Sequence, residues 1–201
     1  MTTAQDLMIV SLDVAPPRPV EQGELSLALA GAELIDLTEA GVVVLDGERV
    51  TPGRASAPAD RLLADAASSL VRREPYESVE EWLWRRGRGL ASAYTARMEA
   101  DGLLTHPRGR WLAARSDRSE AVDSPARRRA AERWASAEPV LAGLATTAGL
   151  REEPGDGFPG PLTDPVATVL AAVGDAVTEL TAVQQRRSVE DSAFDNVWRG
   201  L

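Results

Sequence analysis

Apolar residues recur along most of this chain at three- and four-residue intervals, which predicts a row of helices punctuated by glycine and proline. The clearest stripe is Val79, Leu83, Leu90, Tyr94 and Met98. Ser78 and Glu81 at its start have the spacing of a capping box. Gly102 follows it, a residue able to end a helix in the left-handed conformation. Gly87 and Gly89 fall inside the stripe, and each costs about 1 kcal/mol against Ala in a helix, so a kink or short break is expected there. Leu103-Leu104, a turn at His106-Pro107-Arg108-Gly109 and Trp111-Leu112 then predict a hairpin with a basic tip and apolar arms.

The same reading extends over the remaining chain. Asp6 to Leu12 is a short apolar segment, enough for two helical turns or one strand. Pro16, Pro17 and Pro19 mark a loop. Glu24 to Ala40 predicts a helix with Leu27, Ala30, Leu34 and Leu37 on one face, and Gly31 marks a place where another element could approach closely. Gly41 closes it. Val42 to Leu45, the Asp46-Gly47 turn and Arg49-Val50 predict a first hairpin. A linker from Thr51 to Ala59 leads to a helix over Asp60 to Arg72, capped by Asp60 and facing inward through Leu62, Leu63, Ala66 and Leu70. Ser116 to Asp123 reads as polar loop. Ser124-Pro125 starts a helix to about Ala137 that carries Arg127, Arg128, Arg129 and Arg133. Pro139 opens a small-residue helix to Ala148. Arg151 to Leu162 is loop. Val166, Val169, Leu170, Val173, Val177 and Leu180 stripe the last strong helix. The expected fold is mainly α, a compact helical bundle with one or two short β-hairpins, formed by one domain over 1–187 with an acidic C-terminal tail over 188–201.

Charge adds a location to this pattern. The net charge is −9, and every one of the 22 basic residues is Arg. The interval from Trp82 to Arg133 nonetheless carries a net +6, leaving −15 for the remainder. An acidic body with a basic middle points to a localised anionic partner and argues against broad nucleic-acid binding. The absence of Lys and the abundance of Ala point to a GC-rich bacterial genome. With no cysteine there are no disulfides or thiol chemistry. No leader is recognised, and no uninterrupted apolar run approaches the ~20 residues that span a bilayer. The expected location is the cytoplasm, with peripheral attachment to the inner membrane face.

Four segments read together resemble a known family: DLMIVSLD (Asp6 to Asp13), LALAGAELIDLTEAGVVVL (Leu27 to Leu45), SAPADRLLADA (Ser56 to Ala66) and the helix-Gly-Leu-Leu hairpin ending near Arg115. In order and spacing they resemble the Golgi phosphoprotein 3 family. The resemblance implies a helical bundle with a protruding apolar hairpin. It also implies peripheral membrane binding through phosphatidylinositol 4-phosphate and an adaptor role toward cytoplasmic tails of glycosyltransferases. The family's lipid site uses a Trp and an Arg around the first long helix and two Arg, three apart, before the hairpin. Counted from Gly102, the latter two fall on Arg88 and Ala91. Counted from Leu34, the former two fall on Ala30 and about Glu21. One position of the four is kept, so the implied anionic-lipid recognition is altered or loosened.

The candidate lipid or anion site is therefore Arg85, Arg86 and Arg88, since Arg presents a planar fork to phosphate. Leu103, Leu104, Arg108, Arg110, Trp111 and Leu112 of the hairpin are the candidate membrane or oligomer contact. Trp82 and Trp84 fall on different helix faces, one expected in the core and one outside. His106, the single His, has no partner for metal or base chemistry. A triad, a glycine-rich phosphate loop and metal-binding spacings are all missing, so neither catalysis nor a cofactor or metal is expected. The expected partners are an anionic headgroup or membrane surface, a second copy through the hairpin, and a protein partner. Two alternatives stand beside the membrane adaptor. One is a winged-helix-like DNA module using Arg108 and Arg110. The other is an oligomeric interaction scaffold.

Overall fold

One helix is buried along most of its length, and the others are laid around it. In the computed structural model, which describes residues 2–56, 58–105, 120–152 and 161–199, this is α2 (Gln22–Glu39). Leu27, Leu29, Leu34, Ile35 and Leu37 are all buried, as expected of a helix without a solvent face. Around it pack α1 (Thr3–Asp13), α4 (Val79–Arg86), α5 (Leu90–Ala100), α7 (Pro139–Thr147) and α8 (Asp164–Arg199), with α3 (Arg61–Ser68) against its C-terminal half. The fold is mainly α, with two small two-stranded sheets among the described residues.

Gly31 explains how α2 and α8 come so close. A Cβ at this position would lie 2.4 Å from Val173 Cγ2, so only glycine admits the valine of α8. Val166, Val169, Leu170, Val173 and Val177 of α8 are buried as the stripe predicts, while Leu180 is partly buried. The helix does not stop at Arg187. It runs on to Arg199, so the segment expected as an acidic tail is helical through that residue. Within Asp164–Arg187 an 18-residue stretch with a mean hydropathy of 1.6 is long and apolar enough to cross a membrane by length and composition alone. Thr and Asp punctuate the segment, so it holds no long uninterrupted apolar run. A core helix has the same composition, and here one side of α8 closes the bundle.

The short apolar segment at the start is helical rather than extended, and its far-end support comes from α2. The Asp36 carboxylate accepts from the Thr3 and Ala4 amides at 3.0 and 3.3 Å, satisfying two of the donors a helix N-terminus leaves open. Burial raises the Asp36 carboxyl to a pKa of about 6, although these amide bonds pull the other way.

The first hairpin forms as predicted. β1 (Val43–Asp46) pairs antiparallel with β2 (Arg49–Pro52), with Leu45 opposite Val50 and the turn at Asp46-Gly47. The second hairpin departs from expectation. β3 (Leu104–Thr105) pairs with β4 (Glu120–Ala121), inside the stretch read as polar loop. Residues 106–119, with His106, Arg108, Arg110, Trp111 and Leu112, lie outside the described residues.

Candidate functional site

The long stripe before Gly102 divides at the two glycines. α4 opens with the full capping box: Ser78 Oγ accepts from the Glu81 amide at 3.0 Å, and Glu81 accepts from the Ser78 amide at 2.7 Å. It ends at Gly87, and α5 restarts at Leu90 after Gly89, whose φ of 68° is left-handed. A Cβ on Gly87 would meet the Leu83 carbonyl at 2.7 Å and the Leu27 side chain of α2 at 3.3 Å. Gly87 thus lets the end of α4 press onto α2, and Gly89 turns the chain. Arg88 stands on the turn between them.

The three candidate arginines do not share a face. Arg86 points inward. Its Nε and Nη2 donate to the two Glu33 carboxylate oxygens at 2.6 and 2.9 Å, and Nη2 also donates to the Leu62 carbonyl at 3.2 Å. Glu33 is fully buried and also accepts from the Tyr94 hydroxyl at 3.1 Å. Burial pushes the Glu33 carboxyl above its ordinary range, opposed by the Arg86 and Tyr94 bonds. Burial, followed by the charge on Glu33, pushes the Tyr94 hydroxyl well above its own range. The closeness of the fork fits an ionised Arg86–Glu33 pair, which ties α4 to α2. Arg86 is therefore engaged inside the bundle, where its guanidinium is held by Glu33.

Arg85 is also engaged. Its Nε and Nη2 donate to Glu77 at 3.0 and 2.8 Å, and its guanidinium lies 5.1 Å over the ring of Trp82. Trp82 is fully buried and donates to the Ala30 carbonyl at 3.2 Å. Arg85 and Arg88 are both exposed, and of the three only Arg88 makes no hydrogen bond or ion pair to the described residues. Half-buried Trp84 adjoins it. Together they separate two hollows. One, of about 260 Å³, is floored by Leu27 and Leu180. The other, of about 530 Å³, reaches Arg49 and Glu81.

Of the positions where the family resemblance would place further lipid contacts, Ala30 and Ala91 are buried and Glu21 is exposed but acidic. The Ala91 amide, at the start of α5, donates to Ser26 Oγ at 3.1 Å, and Gln22 Nε2 donates to Ser92 Oγ at 2.7 Å. Side chains of α2 thus occupy the helix N-terminus that would otherwise face an anion. The hairpin assignment also changes at its base. Leu104 is buried in the core and partly buried Leu103 packs against it, while the tip and the Trp111-Leu112 arm lie outside the described residues. The apolar alternation of a short strand serves the core as readily as a partner, and sequence alone does not separate the two.

The second arginine group, on α6 (Pro125–Ala135), is consumed by internal acids. Arg127 reaches Asp13 at 2.8 and 3.0 Å, Arg128 reaches Asp123 at 3.0 Å, and Arg129 and Arg133 both reach Asp6. Asp6 is 1% exposed, and Arg133 continues to Glu138 at 2.7 Å. The unfavourable placement of cations in a first helical turn is offset by carboxylates of α1, not by an outside anion.

One feature went unseen in the sequence. Glu48 of the first hairpin turn, Glu80 of α4, and Asp175 and Glu179 of α8 line a cleft of about 500 Å³ floored by Ala172 and Ala176. None of the four has an ion pair among the described residues. They come from three separate elements, so no run of acids announces them. Among the described residues, no three His, Asp or Glu side chains are grouped to hold a metal ion.

Comparison with known families agrees with the fold. The family model described as Golgi phosphoprotein 3 (GPP34) matches residues 4–191. Among curated proteins no relative matches. The match spans nearly the whole chain, and the protein belongs to the Golgi phosphoprotein 3 family.

Proposed function

We propose that this Golgi phosphoprotein 3 family member is a non-enzymatic peripheral membrane adaptor with two contacts, one anionic and one cationic. The anionic contact is a lipid surface met by Arg88 with Trp84 beside it. The observation that carries the reading is that, among the described residues, Arg88 is the one candidate cation left without an internal partner, on a turn that two glycines define. An indole beside a guanidinium suits an interface, and a basic residue close to an anionic membrane contributes about 1 kcal/mol. A single such residue gives weak, salt-sensitive attachment. With Ala30 and Ala91 in place of further cations, recognition is of negative charge more than of one headgroup. The cationic contact is a basic segment of a protein partner, received by the cleft of Glu48, Glu80, Asp175 and Glu179. Glu80 borders both this cleft and the hollow that reaches Arg88, so the two contacts adjoin.

Sedimentation with phosphatidylcholine vesicles, alone and containing phosphatidylserine or phosphatidylinositol 4-phosphate, tests the membrane contact. The expected result is binding to both anionic mixtures, weakening as salt rises and lost in Arg88→Ala. Equal, negligible binding to all three mixtures overturns it.

A further inference from the structure

A cavity lined by described residues lies away from Arg88. It has a volume of about 800 Å³, within the ~300–1,000 Å³ typical of small-ligand sites. It opens between the outer side of α8, the C-terminal end of α7 and the α1–α2 connection. The hollow exists because Ala167, Ala171 and Gly174 leave α8 bare on this side, while Leu170 and Val177 give it apolar walls. A Cβ at Gly174 would meet no atom within 4 Å.

Two guanidinium groups stand at its rim, each already positioned. Arg18 Nη1 donates to buried Glu24 at 2.8 Å and to the Pro19 carbonyl at 3.3 Å. The Arg18 plane lies on the backbone of Gly149, where a Cβ would approach its Cζ and Nη2 to 2.6 Å. Gly149 has a φ of 73°, so glycine is required here twice over. Arg151 lies 5.3 Å over the ring of Trp134 and has no ion pair among the described residues. Among the described residues, Glu152 is the one acid on the rim. Thr146 also lines the cavity, and its Oγ1 is a side-chain oxygen sealed from solvent without a partner among the described residues. Buried hydroxyls are normally bonded, and an orphan one marks a missing partner.

We propose that this cavity is a binding site for a single-chain acyl carboxylate. The hydrocarbon lies along the small-residue side of α8. The carboxylate accepts from Arg151 and from the Arg18 nitrogens that Glu24 leaves open. An apolar trough alone selects no head group. Two oriented guanidinium groups against one carboxylate select an anion, and Arg forks favour a planar carboxylate. The site shares no residue with the Arg88 contact and does not rest on it.

Calorimetric titration of the full chain with dodecanoate below its micelle concentration tests the proposal, with dodecanol as the uncharged control. Saturable binding of one dodecanoate per chain is expected, with dodecanol about tenfold weaker. Gly174→Leu fills open space, so it should retain the parent circular dichroism and melting temperature while losing dodecanoate binding. Arg151→Ala should weaken dodecanoate about tenfold and leave dodecanol unchanged. Arg88→Ala should bind dodecanoate as the parent does, whatever its behaviour with vesicles. No saturable heat, or parent-like binding by a folded Gly174→Leu protein, overturns the site. Equal affinity for dodecanoate and dodecanol overturns the head-group assignment.

Discussion

Arg86 and Arg88 are two residues apart and have opposite fates. Arg86 is spent on Glu33 inside the bundle, and Arg88 is left on the surface. The contrast repeats at larger scale between α6 and the α4–α5 turn. α6 carries more positive charge, yet Asp6, Asp13 and Asp123 take it up. Among the described arginines of the basic interval, those at 85, 86, 97, 127, 128, 129 and 133 are each paired with an acid of the protein itself, and Arg88 is left over.

The largest test of this contrast is Arg86→Ala. It strands the Glu33 carboxylate in the core, and removing one member of a buried pair costs about 3–5 kcal/mol. Urea denaturation should show that loss, and Glu33→Gln combined with Arg86→Met should recover part of it. A loss under about 1 kcal/mol would mean that Arg86 is not committed to the interior.

Asp36 gives the next effect, in pH. Its folded pKa of about 6 lies above the ordinary 3.8, so the folded state holds its proton more tightly than the unfolded chain. The stability linked to this proton is complete below pH ~4 and is lost as pH rises through ~6. Relative to Asp36→Asn, the parent should lose on the order of 2 kcal/mol between those limits, as read from urea midpoints along a pH series. A pH-independent difference between the two proteins would contradict it.

Arg133→Ala should be milder, at about 1–2 kcal/mol, because Arg129 still reaches Asp6. Its vesicle binding should match the parent. Arg88→Ala should change stability by less than about 0.5 kcal/mol, as exposed sites do, and alone of these variants should abolish vesicle binding. If Arg133→Ala lost vesicle binding as fully as Arg88→Ala, the division between consumed and available arginines would fail.

The sequence made local features legible and left distant ones hidden. Ser78 with Glu81, Ser124 with Pro125, and the break at Gly87 and Gly89 all depend on neighbours within a few positions. Each formed as read. Gly31 was legible as a point of approach, although not that Val173 would be the visitor. The ion pairs that decide the site join residues 53 and 127 positions apart, Arg86 with Glu33 and Arg133 with Asp6. No periodicity carries such information. The same holds for the cleft acids, and for the pairing of Leu104 with Ala121 across an unexpectedly long connection. Family resemblance named the right fold and directed attention to Arg88. It could not show that Ser26 and Gln22 would close the neighbouring positions.

The clasp on Asp6 also bears on how the chain is made. α1 is synthesised ahead of α6, and the guanidinium groups that hold it follow 123 and 127 residues later. At ~5–20 residues per second that is a wait of roughly ten seconds. During that interval an apolar helix with an uncompensated carboxylate has no finished body to join. In newborn chains of this protein α1 should therefore need shielding until α6 emerges.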